Sequence, residues 1–186
     1  NKRIKVEQAF SLNVDQMRPR SRGSVSLNRF NVNSAPKITF NYMQHEHDLY
    51  EMIDAVKKAR ELVQQPAFDE FRGAEMSPGA AYQSDKDIAN MLRKKIETAY
   101  HPSCTCRMGY DDLAVTDSQF KVHDIEGVRV IDASSMPRIV SANLNAPIQM
   151  MAGRAADFIL RKRPLFPIYL QYENKSAKEH HNRVGD

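Results

Sequence analysis

The chain has 186 residues, of which 41% are hydrophobic and 27% are charged, and its formal net charge is +4. A chain of this length can bury one core, and it contains no apolar run of about 18 residues that would predict a membrane-spanning helix. The basic clusters at 18–22, 93–95 and 161–163 are separate and are not interleaved with aromatic residues, so no nucleic-acid-binding surface is predicted.

Two short strands and two amphipathic helices are predicted in the first half of the chain. Residues 24–28 and 37–42 flank a polar turn and are predicted to be two short strands. A helix is predicted from Asp48 to Gln64, and a second begins at Ser84, where Ser84 and Asp87 form a capping-box-like start. The inner faces of these helices are expected to carry Leu49, Met52, Ile53, Val56, Ala59, Leu62 and Val63, then Ile88, Met91, Leu92 and Ile96.

The segment at 101–109, His-Pro-Ser-Cys-Thr-Cys-Arg-Met-Gly, contains a candidate proton acceptor. Pro102 biases His101 toward an extended backbone, and the ordinary pKa of histidine, near neutrality, suits proton transfer at physiological pH. A single histidine is nevertheless more often an ordinary loop residue. The case for His101 therefore depends on the motifs that follow it.

Cys104 and Cys106 form His-x-x-Cys-x-Cys with His101, so a metal site has to be weighed. Only three soft ligands are local, and no second Cys/His pair follows at a zinc spacing, so no metal is predicted. The two cysteines are also too close for an ordinary disulfide framework, which suits a reducing compartment. We interpret them as packing residues.

A buried strand is predicted for residues 127–132, because a glycine turn precedes a β-branched run. The small residues Ala133, Ser134 and Ser135 follow it. Ligands in open α/β sheets bind beyond the carboxyl ends of strands, where small residues let a cofactor approach the backbone. This strand end is therefore a candidate cofactor site.

The last helix is predicted to begin at Asn145, a favoured N-cap residue, with Pro147 tolerated in its first turn. Residues 161–163 are basic and would close its last turn before Pro164 ends it. The helix N-terminus is suited to an anion or a developing negative charge. Capping of the helix is enough to account for Asn145. It accounts less well for Asn143, which lies just outside the helix. The apolar face is expected to carry Ile148, Met151, Ala152, Ala155, Phe158 and Ile159.

These motifs occur in an order that resembles the C-terminal signature of the glucose-methanol-choline (GMC) oxidoreductases. The resemblance extends from about Ala9 to Ile159. Several motifs in the same order are stronger evidence for a family than any single motif. The cysteines and the Asn-Leu-Asn-Ala-Pro string are most similar to the choline-oxidising dehydrogenases of the family. The matching stretches are Met17–Gly23, Phe40–Tyr42, Arg72–Gly73, Pro78–Gly79, Ala99–Gly109, Val115–Asp117, Gly127–Pro137 and Ser141–Pro147.

The resemblance implies a mixed α+β and α/β fold, the C-terminal portion of a GMC flavoenzyme. Residues 1–100 would belong to the substrate-binding domain, a sheet backed by helices, and 101–165 would supply the returning strand and helix of a Rossmann-like FAD domain. Residues 166–186 are expected to form a polar tail. No Gly-x-Gly-x-x-Gly unit follows a strand in the chain, so the rest of the FAD site is expected in upstream residues of a longer protein.

The resemblance further implies FAD-dependent oxidation of a primary alcohol to the aldehyde, most similar to choline oxidation to betaine aldehyde. His101 would accept or share the hydroxyl proton during hydride transfer to the flavin, and Asn143 would hydrogen-bond the developing alkoxide. The last helix would face the flavin pyrimidine edge. The expected cofactor contacts are Asp132, Ala133, Asn145, Ala146, Pro147 and Ile148.

Several alternatives stay open at this point. The enzyme could use another alcohol, or be an oxidase that passes electrons to oxygen, and a respiratory-chain electron acceptor is also compatible. The chain could equally be an inactive binding or structural fragment. Residues 1–7 lack the apolar stretch and cleavage site of a signal peptide, which predicts an internal start and an intracellular protein. Peripheral association with the cytoplasmic or mitochondrial-matrix face of an inner membrane remains compatible with the basic clusters.

Overall fold

Two strands and three α-helices carry the fold in the computed structural model, which describes residues 8–163, 165, 166 and 168. Short 3-10 helices lie at Pro66–Phe68 and Ala133–Ser135. The main elements are β1 (Ser24–Ser26), β2 (Lys37–Thr39), α1 (Glu46–Val63), α2 (Asp85–Lys95) and α3 (Asn145–Ile159).

The strands β1 and β2 pair antiparallel, with Ser24 opposite Thr39 and Ser26 opposite Lys37. Both predicted strands are therefore confirmed, although each is shorter than expected. The residue before β1 has to be glycine, because a Cβ at Gly23 would lie 2.3 Å from the carbonyl oxygen of Thr39. The backbones of the two strands therefore come close together at Gly23, next to the first residue pair of the hairpin.

Helices α1 and α2 pack against each other and form the first hydrophobic cluster. The capping box expected at Ser84 is present, since Ser84 accepts from the Asp87 amide while the Asp87 carboxylate accepts from the Ser84 amide. The side chain of Ile88 is completely buried between the helices. Both helix predictions are confirmed to within two residues, although Leu62, which was expected on the inner face of α1, is 50% exposed. The buried members of this cluster are Leu49, Met52, Ile53, Val56, Ile88, Ala89, Met91 and Leu92.

A second hydrophobic cluster forms in the second half of the chain, around α3 and the loops that precede it. Its buried residues are Phe120, Met136, Leu144, Met151 and Ala155. No residue belongs to both clusters. The chain therefore builds two separate packed units, each from residues close in sequence.

The buried strand predicted at 127–132 is wrong for the part of the chain that the structure describes. The segment makes one isolated bridge, between Lys121 and Arg129, and its cross-chain backbone hydrogen bonds run from the Val122 amide to Val128 and from the Val130 amide to Phe120. A β-branched run becomes a buried strand only when it pairs with neighbouring strands and other elements cover its faces. Here the run pairs on one side with the turn that precedes it, and its residues are exposed or half-buried.

The last helix begins at Asn145, as predicted, but the N-cap role predicted for Asn145 is wrong. The N-cap is Leu144, Asn145 is the first helical residue, and no side chain caps the helix. Leu144 is only 2% exposed, and its carbonyl accepts the first intrahelical hydrogen bond from the Ile148 amide.

The end of α3 differs too. The helix ends at Ile159, and the basic residues at 161–163 follow it and do not occupy its last turn. Of the predicted apolar face, Met151 and Ala155 are buried and Ile148 and Phe158 are half-buried, whereas Ala152 and Ile159 are exposed. Pro164 and most of the predicted tail lie outside the described residues. Within the part that is described, no helix is long and apolar enough to cross a membrane.

Candidate functional site

A cleft of about 900 Å³ separates the two hydrophobic clusters and is lined by residues from both. Its first wall includes Met52, Met91 and Leu92, which also belong to the α1–α2 cluster. His101 and Asn143 both line this cleft. Two side chains that are 42 positions apart in the sequence are thus brought to one concave surface.

His101 lies in a loop whose backbone is unusual. Tyr100 and Cys104 both adopt left-handed conformations, with φ angles of 62° and 69°. Left-handed backbones are uncommon for residues other than glycine, and they persist only where surrounding contacts impose them. Such residues before and after His101 indicate that the path of this loop is imposed by its surroundings.

The contacts that hold the loop come from the 3-10 turn at Ala133–Ser135. The amide of Cys104 donates to the carbonyl of Ala133 at 3.1 Å, that of Cys106 to Ser134 at 2.9 Å and that of Met108 to Ser135 at 3.0 Å. Alternate residues of the 104–108 segment are thereby fixed to the second cluster. The cysteines themselves are free and half-buried.

Asn143 is exposed and precedes the buried N-cap Leu144. Ile139 and Val140, which also line the cleft, pack against the second cluster. The loop at 139–143 is therefore attached to the second cluster at both ends, and Asn143 is held next to the first turn of α3. His101 and Asn143 thus line one cleft, and Asn143 precedes the N-terminus of α3 in the chain, the kind of group that stabilises developing negative charge.

The chain before β1 is held against α1 by Asp48, whose role the sequence analysis missed. The carboxylate is 1% exposed and accepts hydrogen bonds from the side chain of Gln16 at 3.0 Å, from the amide of Arg20 at 2.9 Å and from the amide of Ser21 at 2.7 Å. The Ser21 hydroxyl donates to it as well.

These contacts decide the ionisation of Asp48. Burial raises its pKa, but the hydrogen bonds from the Ser21 hydroxyl and from the amides of Arg20 and Ser21 outweigh burial and lower the pKa to about 2. Asp48 is therefore a buried anion that is satisfied by donors of the 16–21 segment. An aspartate in the first turn of a helix, following an Arg-rich stretch, was the only available signal in the sequence.

A second carboxylate orders the loop after His101. Arg107 makes a bidentate ion pair with Asp111, and this hydrogen bonding, together with the amide of Leu113, lowers the pKa of Asp111 to about 2. A Cβ at Gly109 would lie 3.1 Å from the Arg107 guanidinium and 3.2 Å from Ala114, so a larger residue here would have to displace these side chains slightly. No group of three or more His, Cys, Asp or Glu side chains within the described residues could hold a metal ion.

The six predicted cofactor contacts lie outside the lining of the His101–Asn143 cleft. Asp132 is exposed and caps the 3-10 turn by accepting from the Ser134 amide at 2.8 Å, whereas Ala133 packs against the second cluster. Asn145 and Ala146 are exposed, and Pro147 and Ile148 are half-buried.

The first turn of α3 offers backbone N–H donors to the cofactor that the sequence resemblance implies. Pro147 has no N–H and the Ile148 amide donates to Leu144, but no side chain caps the helix, so the amides of Asn145 and Ala146 remain available, and Ala146 is small and exposed. Uncapped helix N-termini stabilise electron-rich groups. The residues present therefore fit an edge of a bound cofactor that carries partial negative charge.

The sequence and the fold of the chain are similar to those of known proteins. A family model for GMC oxidoreductases matches residues 19–152. The chain is 47% identical over 163 residues to an oxygen-dependent choline dehydrogenase of Burkholderia ambifaria (strain MC40-6), which covers 88% of this chain and 29% of that protein. It is 51% identical over 156 residues to the protein of the same name from Paraburkholderia phymatum, covering 84% of this chain and 27% of that one.

Among solved structures, the chain is similar to a formate oxidase of Aspergillus oryzae RIB40 that was studied for the effect of a mutation on FAD modification. The TM-score is 0.73 at 28% identity, with 78% of this chain and 26% of that chain covered. The chain thus spans less than a third of the length of the relatives it matches.

Proposed function

The chain belongs to the GMC oxidoreductase family, as its motifs predicted, and on this premise we propose that the full-length protein is a dehydrogenase that oxidises choline to betaine aldehyde. GMC oxidoreductases are FAD-dependent enzymes, so the predicted cofactor and mixed fold class are confirmed. The names of the relatives support choline as the substrate, because relatives at 47% and 51% identity are called choline dehydrogenases.

The observation that carries this proposal is the meeting of His101 and Asn143 at one cleft. Oxidation of an alcohol needs a group that takes the hydroxyl proton and a group that stabilises the oxygen as it becomes negative. An imidazole and a carboxamide can do this together. The cleft also gives a small molecule room, since its volume is about 900 Å³.

In the mechanism, an imidazole nitrogen of His101 accepts the hydroxyl proton of the substrate. The side-chain amide of Asn143 donates a hydrogen bond to the same oxygen as negative charge develops there. When bound, FAD supplies the acceptor for the hydride that leaves the alcohol carbon. Asn145 through Ile148, at the uncapped N-terminus of α3, would hold its electron-rich edge, and Asp132 and Ala133 would contact it from the start of the Ala133–Ser135 turn.

The lining of the cleft is compatible with a quaternary ammonium substrate. Phe40 and Tyr42 stack with ring centroids 5.1 Å apart, and both line the cleft together with Tyr100. Aromatic faces attract quaternary ammonium groups through the negative potential of the ring. The carboxylates of Asp15 and Glu97 line the same cleft and add charge of the complementary sign.

The electron acceptor is a further part of the proposal. The names of the relatives support molecular oxygen, whereas a respiratory-chain acceptor is the second candidate. Choline oxidation assayed with oxygen and with an artificial quinone separates these two possibilities. Reduction of the bound flavin by choline without oxygen uptake would reject oxygen as the acceptor.

The test of the catalytic roles uses the full-length enzyme with FAD bound. We expect His101→Ala to lower kcat by about 100-fold or more, on the scale of a lost general base or oxyanion donor. Asn143→Ala should lower kcat by the same factor as His101→Ala or by a smaller one. Because both groups act on one developing charge, the double variant should lose less than the product of the two effects.

His47→Ala is the matched control, since His47 is an exposed histidine of α1 that does not line the cleft. Its kcat should equal that of the wild type, and the flavin absorbance of all variants should stay near normal. Wild-type turnover in His101→Ala with flavin bound would overturn the assigned mechanism. Absence of choline oxidation by the flavin-loaded wild type, with another alcohol accepted, would reject the substrate but retain the reaction class.

A further inference from the structure

The two walls of the cleft are joined by a single hydrogen bond within residues 8–163. The guanidinium Nε of Arg18 donates to the hydroxyl oxygen of Ser141 at 2.5 Å. All other hydrogen bonds and ion pairs in this range stay within 8–100 or within 101–163. This contact is therefore the polar link between two otherwise separately packed units.

Each end of the link is attached to a fixed part of the structure. Arg18 lies two residues before Arg20, whose amide, like that of Ser21, donates to the buried Asp48 carboxylate. Ser141 lies between the half-buried Val140 and the buried N-cap Leu144. The bond thus connects the N-terminal end of α1 to the loop that carries Asn143.

The link supports the cleft but does not line it. Asn143 is part of the cleft lining, whereas Arg18 and Ser141 are not. Ser141 precedes Asn143 by two residues, so a change in the position of Ser141 moves the backbone of Asn143. A group that acts in this way changes the geometry of the reacting groups without contacting them.

We propose that Arg18 is a positioning residue, which holds Ser141 and thereby fixes the Asn143 loop opposite His101. The proposal rests on the catalytic role assigned to Asn143 above. Because Arg18 acts through the orientation of a group that stabilises the transition state, its loss should lower kcat more than it raises KM.

The first experiment measures the loop itself and does not depend on activity. In the full-length protein with FAD bound, hydrogen exchange of the amides at 139–144 is compared for the wild type, Arg18→Met and Ser141→Ala. Both variants should exchange about 3- to 10-fold faster there, the range expected for loss of one ordinary hydrogen bond.

Arg20→Met is the matched control. It removes an exposed arginine from the same segment, but the contact of Arg20 with Asp48 is made by its backbone amide and is kept. Exchange at 139–144 should equal that of the wild type in this variant. If Arg18→Met and Arg20→Met exchange alike, Arg18 does not hold the loop and the proposal is overturned.

The second experiment asks whether the held loop matters for chemistry. We expect Arg18→Met and Ser141→Ala each to lower kcat about 3- to 10-fold with KM changed less than about twofold, and the pair to lower it no further than either alone. In an Asn143→Ala background, Arg18→Met should have no further effect on kcat. Multiplicative effects of Arg18→Met and Asn143→Ala would show that Arg18 does not act through Asn143.

The two experiments separate failure of this proposal from failure of the proposed function. Faster exchange at 139–144 in a protein that oxidises no alcohol would reject the proposed function and the catalytic consequence, while keeping Arg18 as the residue that holds the loop. Unchanged exchange in an active enzyme would reject the positioning role and leave the proposed function standing.

Discussion

Replacing Asp48 by asparagine tests how strongly a buried carboxylate holds the 16–21 segment to α1. Both carboxylate oxygens accept hydrogen bonds from this segment. An asparagine side chain keeps one acceptor oxygen, but its NH₂ group replaces the other. In one orientation the NH₂ group faces the donors of Ser21, and in the other it faces those of Gln16 and Arg20. We expect local opening of the segment to become easier by about 2 to 4 kcal/mol at pH 7.

The pH dependence gives the sharper test. Asp48 has a pKa of about 2 in the folded protein against an ordinary value of 3.8. A carboxylate whose pKa is lowered by folding contributes stability that is present above its unfolded pKa and is lost as the pH falls through the folded pKa. Because one pKa unit corresponds to about 1.36 kcal/mol, the contribution is about 2 kcal/mol at pH 5, about 1 kcal/mol at pH 3 and small below pH 2.

The assay is hydrogen exchange of the amides of Arg20 and Ser21, corrected for intrinsic exchange, between pH 5 and pH 2. The wild type should lose about 2 kcal/mol of protection over this range, whereas Asp48→Asn should change little. Asp54→Asn is the matched control, because Asp54 is an exposed aspartate of the same helix. Its curve should follow that of the wild type. Parallel curves for the wild type and Asp48→Asn would refute the assignment of this titration to Asp48.

Three further predictions follow from the sequence and the fold. Ser84→Ala removes the capping box of α2 and should lower the free energy of unfolding by about 1 kcal/mol in urea titrations, whereas an unchanged midpoint would show that the cap does not contribute. Replacement of Cys104 or Cys106 by serine should change stability or turnover moderately and release no metal, and stoichiometric zinc that disappears in either variant would reverse this assignment. Residues 1–186 expressed alone should bind FAD weakly or not at all, because the dinucleotide fingerprint is absent from them; a stoichiometric yellow complex after gel filtration would contradict this.

The elements that the sequence determined by itself are those whose signals are local. Helices α1 and α2 follow from the spacing of their apolar residues, and the start of α2 follows from Ser84 and Asp87, three positions apart. The family also follows from sequence, because linked motifs keep their residue types and order. The catalytic roles of His101 and Asn143, the domain boundaries and the intracellular location stay predictions.

Tertiary structure decided the features that depend on distant partners. The β-branched run at 127–132 had a strand pattern, but strand formation requires neighbours that no local pattern specifies. The N-cap of α3 is the buried Leu144, whereas Asn145, which the sequence favours as a cap, is the first helical residue. The low pKa of Asp48 arises from donors about 30 positions earlier, and the Arg18–Ser141 bond joins residues 123 positions apart. Hydrogen bonds and burial act over a few ångströms in space, so pairs far apart in sequence are specified only when the chain has folded.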